Sequence, residues 1–236
     1  MSISETRVDD FVFPSNLTPP LTASPDSGVW RKADTSAAGA PTLVGTAGFM
    51  VGSLEATSEV QNVCLYHGDQ LAYLIDYLLL VEFWLKASAA YTAADSLAFG
   101  MCSARNDTID SLANHASFRL IGSNQVYCES DDSVNDVDDK DTGQTLVAAV
   151  KKFTLDFGSG IQSVSPPGVT KGGKANVQFL MSDPQGSLRR VCANTLFDLS
   201  NTALGLQPFV QIAKTVGTTV PTFSVARIRI THRQPY

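Results

Sequence analysis

The chain has 236 residues, of which 44 % are hydrophobic and 17 % are charged, and its formal net charge is −6. This length fits one large domain, or one domain with an arm, that is stable without a disulfide or a metal. The acidic charge argues against a general nucleic-acid binder, and the most apolar run, residues 71–85, is shorter than the ~20 residues of a membrane helix.

Residues 1–43 are rich in proline and small polar residues, with five of the eleven prolines of the chain. Because proline fixes φ and removes a donor, we predict neither a helix nor a central strand here. Phe11, Phe13 and Trp30 are unusual in a solvated tail. The stretch is therefore either a flexible leader or, as we favour, an extended arm whose aromatic side chains dock on a neighbouring molecule.

From residue 44 the pattern changes to short apolar runs separated by turn signals. Between Tyr77 and Lys86 it alternates. One face carries Tyr77, Leu79, Val81, Phe83 and Leu85, and the other carries Leu78, Leu80, Glu82, Trp84 and Lys86. A helix over residues 71–79 is the alternative. We predict about eleven strands, at residues 45–54, 59–66, 77–86, 95–105, 116–121, 125–129, 145–157, 176–181, 188–192, 208–216 and 223–233.

No alternation of strands with helices is present, which argues against a parallel sheet. The pattern predicts an all-β fold of two packed antiparallel sheets. We place this sandwich domain at residues 44–236 and the arm at residues 1–43.

Seven carboxylates fall between Glu129 and Asp141. We expect a solvated acidic loop that is dispensable for folding, with a partner contact or calcium binding as alternatives. The EF-hand pattern fails, so we expect no metal or other cofactor, and the weak calcium candidates are Asp131, Asp132, Asp136, Asp138 and Asp139.

Catalytic motifs are incomplete. Glu129-Ser130-Asp131 begins the Glu-x-Asp-x-x-Glu motif of laminarinase-type glycanases, but Val134 stands where the second glutamate is required. His67, His115 and His232 are scattered, and there is no G-x-S-x-G motif. We therefore expect a protein that is not an enzyme.

The four cysteines, Cys64, Cys102, Cys128 and Cys192, are far apart in sequence. Their spacing does not fit a zinc site. We expect small buried thiols, although the even count leaves disulfides possible with a pairing that the sequence does not give.

In the last strand Arg227, Arg229 and Arg233 recur at even spacing, so they project from one side. We interpret them as an interface or as a counterpart to other charges, with an ordinary solvated face as the alternative.

Several segments from residue 81 to residue 230 resemble concanavalin/laminin-G-like jelly-roll proteins found among the structural proteins of tailed bacteriophages. The matching segments are residues 81–83, 97–101, 118–120, 153–157, 197–200 and 205–211. Where such sandwiches continue with a Tyr-Val-Asp-Gly hairpin, this chain has Met181 to Gly186 instead, which puts a shared ligand role of that hairpin in question.

The resemblance implies a jelly-roll β-sandwich and a virion location, on the capsid surface after assembly in the host cytoplasm. It implies a capsid decoration or cement protein whose partners are the major capsid protein and further copies of itself, without nucleic acid or membrane. Candidate contact residues are Phe11, Phe13, Trp30, Arg227, Arg229 and Arg233. The alternatives are a carbohydrate-binding module, a receptor-binding virion protein and, less favoured, a glycan hydrolase.

Overall fold

The computed structural model describes residues 5–19, 30–88, 91–158, 173–183, 185–203 and 205–234. These residues form sixteen strands and one 3-10 turn, Ile109–Ser111. The strands are β1 Thr6–Val12, β2 Arg31–Thr35, β3 Thr42–Thr46, β4 Phe49–Ser53, β5 Gln61–Tyr66, β6 Tyr73–Leu74, β7 Leu78–Ala87, β8 Asp95–Ala104, β9 Ala113–Ile121, β10 Gln125–Asp131, β11 Asp136–Thr145, β12 Lys151–Asp156, β13 Gln178–Ser182, β14 Leu188–Val191, β15 Gly205–Lys214 and β16 Thr222–Arg233.

The strands form two antiparallel sheets, which confirms the predicted all-β sandwich. Sheet A has the order β14-β13-β12-β7-β16-β4-β3, and β1 also pairs with β16. Sheet B has the order β11-β10-β9-β8-β15-β5-β2, and β6 also pairs with β15. Within the described ranges, no helix is long and apolar enough to cross a membrane.

A row of phenylalanine rings joins the two sheets in one core. Phe99 of sheet B contacts Phe83 and Phe153 of sheet A, with ring centroids 5.7 and 4.8 Å apart. Phe118 of sheet B contacts Phe179 of sheet A at 5.0 Å. These five side chains are completely buried, because inward positions alternate with outward ones along each strand.

The predicted strands at residues 77–86, 95–105 and 223–233 are confirmed as β7, β8 and β16. The face assignment in β7 is correct in its second half, where Phe83 and Leu85 are fully buried and Trp84 and Lys86 are partly exposed. It is wrong in the first half, where Leu78 and Leu80 are buried and Leu79 is partly exposed. The predicted strand at residues 145–157 is shorter than expected, since β12 begins only at Lys151.

The described parts of residues 1–43 differ from the predicted separate arm; residues 1–4 and 20–29 lie outside the described residues. Strand β1 pairs with β16 along its whole length, and β2 pairs with β5 at an edge of sheet B. The predicted effect of proline holds in that neither β1 nor β2 contains a proline, and β2 lies at a sheet edge. The stretch thus contributes a strand to each sheet of its own sandwich.

Candidate functional site

Two outward surfaces of the sandwich differ in chemistry. On sheet A, aromatic and basic side chains project away from the core. We call this surface the cationic face; it consists of Phe49, Trp84, Lys86, Lys152, Arg227 and Arg229, together with the carboxylates of Asp10 and Glu82.

Trp84 is the centre of the cationic face. Lys152 Nζ lies 5.0 Å from the centroid of the Trp84 ring, and Arg227 Cζ lies 5.1 Å from it. Lys86 Nζ lies 4.6 Å from the Phe49 ring in the same way. The aromatic rings attract these cations through their negative faces, so the basic groups are ordered around apolar rings.

The same cations also form ion pairs with carboxylates. Arg227 donates from Nε to Asp10 Oδ1 at 2.7 Å and from Nη2 to Asp10 Oδ2, which is the bidentate geometry of a strong pair. The hydrogen bond from Arg227 lowers the pKa of Asp10. Glu82 pairs with Lys152 and lies 3.9 Å from Arg229 Nε. Four basic groups face two carboxylates, so the face keeps a positive excess on an acidic chain.

The three predicted arginines do share one side. The register between β1 and β16 is continuous and places Arg229 opposite Asp10 and Arg233 opposite Thr6. Arg227 and Arg229 lie in the cationic face, and Arg233 lies at the end of the same strand. Arg227 pairs with Asp10, and Arg229 lies near Glu82. These contacts agree with the interpretation of the arginines as counterparts to other charges.

On sheet B the outward surface is covered by the chain itself. Residues 105–112, which we call the covering loop, lie across it between β8 and β9. Ile109 and Leu112 are buried against a small apolar cluster of the sheet that includes Cys102 and Phe209. A long open groove, such as a polysaccharide chain would need, is therefore interrupted at its centre.

Polar contacts hold the covering loop. Thr35 Oγ1 donates to Asp107 Oδ2 at 2.8 Å, and Arg105 Nη1 donates to Asp107 Oδ1 at 2.7 Å. Gln211 Nε2 donates to the Asn106 carbonyl at 2.9 Å. The loop is thus joined to β2 and β15, which belong to the sheet beneath it.

A buried ion network lies beside the loop. Glu129 accepts from Arg119, and its Oε1 lies 3.1 Å from His115 Nε2. Arg119 also pairs with Asp110 of the covering loop, and its Nη1 lies 3.6 Å from Asp139 Oδ1. Burial acts to raise the pKa of Glu129, but His115 and Arg119 outweigh it and the pKa is lowered. Glu129 is therefore held as a carboxylate.

The partial glycanase motif has no acid–base pair in this arrangement. A general acid needs a raised pKa, whereas that of Glu129 is lowered. Asp131 accepts the Ser133 N–H at 2.6 Å, and Val134, in the position of the missing glutamate, is 73 % exposed.

The acidic stretch is not the solvated loop that the sequence predicted. Glu129 and Asp131 lie in β10, and residues from Asp136 onward form β11 paired with it. Asp132 is 2 % exposed and accepts from the N–H groups of Asn135 at 2.7 Å and Asn201 at 2.9 Å. Burial opposes these hydrogen bonds, yet the pKa of Asp132 is lowered. The expectation of a solvated loop is therefore wrong at Asp132, which is buried.

The five calcium candidates are not gathered around one point. Within the part of the chain that the structure describes, no group of three or more His, Cys, Asp or Glu side chains could hold a metal ion. Burial, followed by the charges of Asp138 and Asp131, raises the pKa of Asp136. Burial also raises the pKa of Asp139, against the charge of Arg119.

A cleft of about 290 Å³, the side cleft, opens where the covering loop meets the end of sheet B. Asn62, Asp107 and Arg119 line it together with small apolar residues such as Ala213. Asn62 is 2 % exposed, and its Oδ1 has no hydrogen-bond partner among the described residues. The side cleft can accept a small polar ligand, although no aromatic side chain lines it.

The aromatic residues of the predicted arm contact their own domain. Phe13 is 2 % exposed in the core, and Phe11 and Trp30 pack against it. The Trp30 ring lies 5.1 Å from Phe11 and 5.4 Å from His67. Phe13 is therefore buried in its own domain, whereas Phe11 and Trp30 stay partly exposed, and docking of these two rings on a neighbour remains a prediction.

Sequence reasoning missed the ion network and the covering loop. The network joins residues 110, 115, 119, 129 and 139, which no short motif connects. The alternation placed Trp84 on the same face as Glu82 and Lys86, but the cluster of cations around its ring was not predicted. The signal that could have found it is the presence of tryptophan between Glu82 and Lys86 on an outward face.

The two antiparallel sheets, their order and their single core define a jelly-roll sandwich of the legume-lectin or concanavalin type. No family model matches the sequence, and no curated protein matches it.

Solved structures with the same fold cover nearly the whole chain. A protein of unknown function from Shewanella oneidensis MR-1 has 10 % identity and a TM-score of 0.58, over 99 % of this chain and 89 % of that one. Peanut lectin has 13 % identity and a TM-score of 0.56, over 98 % and 100 %. A beta-1,3-glucanase from Mycobacterium marinum has 11 % identity and a TM-score of 0.52, over 92 % and 98 %. At these identities the likeness concerns the fold.

Proposed function

We propose that the protein is a non-enzymatic virion structural protein that decorates the assembled phage capsid and binds it through the cationic face. The observation that carries this proposal is the ordered group of Trp84, Lys152 and Arg227 on an outward sheet. The sequence resemblance to jelly-roll structural proteins of tailed phages supplies the partner, which is the major capsid protein.

The composition of the cationic face supports a protein contact. Tryptophan and arginine are enriched among the residues that dominate protein–protein binding. Because Asp10 and Glu82 already hold Arg227 and Lys152 in place, less side-chain entropy is lost on binding than with unrestrained cations. The positive excess favours an acidic patch on the shell, and contacts between neighbouring copies would give an oligomer on the capsid surface.

The absence of a catalytic role is part of the same proposal. Glu129 is ion-paired and keeps its charge, and the covering loop closes the centre of sheet B. Both features are easier to reconcile with binding than with glycan cleavage.

The test is co-sedimentation of the purified protein with phage shells that lack it. We expect Trp84→Ala to weaken binding by at least about 30-fold, the effect of an interface residue worth about 2 kcal/mol. A triple Arg→Ser change at Arg227, Arg229 and Arg233 should also weaken it. The matched control is Lys140→Ser, which removes an exposed cation from β11 of sheet B.

Circular dichroism must show that each variant is folded. Undiminished shell binding by folded Trp84→Ala protein would exclude the cationic face as the contact. Failure of the wild-type protein to bind any shell would exclude capsid decoration.

Carbohydrate binding in the side cleft is a second candidate. It is favoured by the lectin-like fold neighbours. It is also favoured by the buried side-chain oxygen Oδ1 of Asn62, which accepts no hydrogen bond from the described residues. A glycan array followed by calorimetry tests it. Asn62→Ala should abolish glycan binding while Trp84→Ala retains it, and the absence of any glycan ligand would count against this candidate.

A further inference from the structure

Two of the four thiols meet at the open edge of the sandwich. Cys128 lies in β10 of sheet B, directly opposite Lys140 of β11. Cys192 follows β14 of sheet A, and its Sγ lies 3.4 Å from the Lys140 carbonyl and 3.5 Å from the Asp141 carbonyl. Cys192 also packs against the buried cluster that contains Cys128. The pair therefore bridges the two sheets, 64 positions apart in sequence.

The two thiols differ in access. Cys128 is fully buried, whereas Cys192 is partly exposed and lines a cleft of about 390 Å³ between β11 and β14, the edge cleft. The backbone at Cys192 has a φ of 51°, in the left-handed region that a side-chain-bearing residue rarely adopts.

The environment makes Cys192 the more reactive thiol. The neighbouring Cys128 thiol lowers the pKa of Cys192, while burial raises the pKa of Cys128. A thiolate is the attacking form of cysteine. Arg189, Arg190 and Asp183 line the same cleft, and Asp183 pairs with Arg189. Arg190 Nη1 has no acceptor among the described residues. The edge cleft thus favours a small anionic reagent.

The other two cysteines provide a contrast. Cys64 in β5 and Cys102 in β8 lie on strands that are separated by β15. Two strand spacings amount to about 9–10 Å, beyond the Cα separation of about 7 Å that a disulfide tolerates. Only one cross-linkable pair is therefore present among these four residues.

We infer that Cys128 and Cys192 form an oxidation site at which an anionic low-molecular-weight disulfide, of the glutathione type, converts the pair to an intrachain disulfide that joins sheet A to sheet B. The Cys192 thiolate attacks one sulfur of the reagent, whose S–S bond breaks and releases one thiolate. Cys128 then loses its proton and attacks the Cys192 sulfur of the mixed disulfide, which releases the second thiolate. The two cysteines lose two electrons and two protons, and the reagent takes up both.

The cross-link should stabilise the fold. It closes a long loop between residues 128 and 192 and restricts the unfolded chain, an effect typically worth enough to raise the Tm of a domain of this size by about 5–15 °C. It would also fix the edge cleft between β11 and β14, where in the reduced protein the two sheets are joined through side-chain contacts.

The experiment treats the full chain with oxidised glutathione, blocks remaining thiols at low pH and maps the peptides by mass spectrometry, with calorimetry in parallel. We expect a linked peptide pair containing Cys128 and Cys192, and a Tm that rises and returns on reduction. Cys128→Ser should stop at glutathione bound to Cys192, and Cys192→Ser should gain no link at Cys128. Cys64→Ser, the control, should retain the link.

Several outcomes would overturn the inference. These are a stable mixed disulfide at Cys192 in the wild-type protein, a different pairing, or no oxidation while the protein remains folded. A link between Cys128 and Cys192 with no rise in Tm would overturn the part that concerns stabilisation.

Discussion

At the residue scale, His67 is the least accommodated polar group. It is 4 % exposed and lies among the rings of Phe11, Trp30 and Tyr73, with centroids 5.4–5.8 Å away. Neither of its ring nitrogens has a hydrogen-bond partner among the described residues. Burial lowers the pKa of His67 below its ordinary value of 6.5, so the folded protein favours the neutral ring.

This environment predicts acid sensitivity. Because the folded state binds the His67 proton more weakly than the unfolded chain, the stability it contributes is fully present above about pH 6.5 and is lost as the pH falls toward the lowered pKa. Each kcal/mol lost should lower the Tm by about 2–4 °C. His67→Phe should reduce the fall in Tm between pH 7.5 and pH 5.5, as calorimetry can measure.

The control is His232→Asn, which changes the histidine that contacts Tyr73 in the same group of rings and leaves His67 in place. It should retain the acid sensitivity. An unchanged pH profile in His67→Phe would mean that other groups cause the loss of stability.

Residue composition singled out the aromatic side chains near the N-terminus that pack in or against the core, but it did not identify the residues they contact. Phe11, Phe13 and Trp30 were singled out because apolar rings are costly in water. The same argument applies to burial in the chain's own core and to burial against a neighbour, so sequence alone could not separate the two. In the structure β1 pairs with β16, and of the three rings Phe13 is the one buried in the chain's own core.

At the element scale, three of the predicted strands pass through the core. β7, β8 and β16 alternate buried and exposed residues or are buried throughout, and this periodicity is legible in sequence. β1 and β11 carry mostly exposed residues. For β11 the reason is its position at the edge of sheet B. Such a strand is held by backbone pairing, which leaves no hydrophobic pattern.

Phe13 joins the N-terminal element to the core and gives a direct prediction. It follows β1 and is 2 % exposed, whereas its neighbour Val12 is 64 % exposed. Phe13→Ala should lower the free energy of unfolding by about 3–5 kcal/mol, the usual loss for a buried phenylalanine. Val12→Ala, the matched control, should change it by less than about 0.5 kcal/mol.

Denaturant titration of both variants measures the difference. Equal, small losses for Phe13→Ala and Val12→Ala would show that the N-terminal segment is not part of the folded core. It would also restore the earlier interpretation of residues 1–43 as a separate arm.

At the scale of the whole molecule, the two sheets share one hydrophobic cluster. If one sheet unfolds, the apolar inner face of the other sheet becomes exposed to water. The chain should therefore unfold in one cooperative transition. The two tryptophans sample different regions, since Trp30 packs among rings near β2 and Trp84 lies on the outside of sheet A.

Single-tryptophan variants test this cooperativity. Trp30→Phe leaves Trp84 as the fluorescent probe, and Trp84→Phe leaves Trp30. Within each variant, the fluorescence and circular-dichroism transitions in urea should have the same midpoint. If Trp30 fluorescence changes at a clearly lower urea concentration, the N-terminal part of the fold unfolds on its own.

The place of β16 in sheet A has a consequence for synthesis on the ribosome. This strand pairs with β7 on one side and with both β4 and β1 on the other, yet it comes after all of them in the chain. Until it emerges, sheet A lacks its centre, and β7 and β4 each present an unpaired edge, which is a template for association with other chains. We therefore expect chaperones to be needed most by a nascent chain that ends before Thr222. Once β16 has emerged, it can pair with β7, β4 and β1 and complete sheet A.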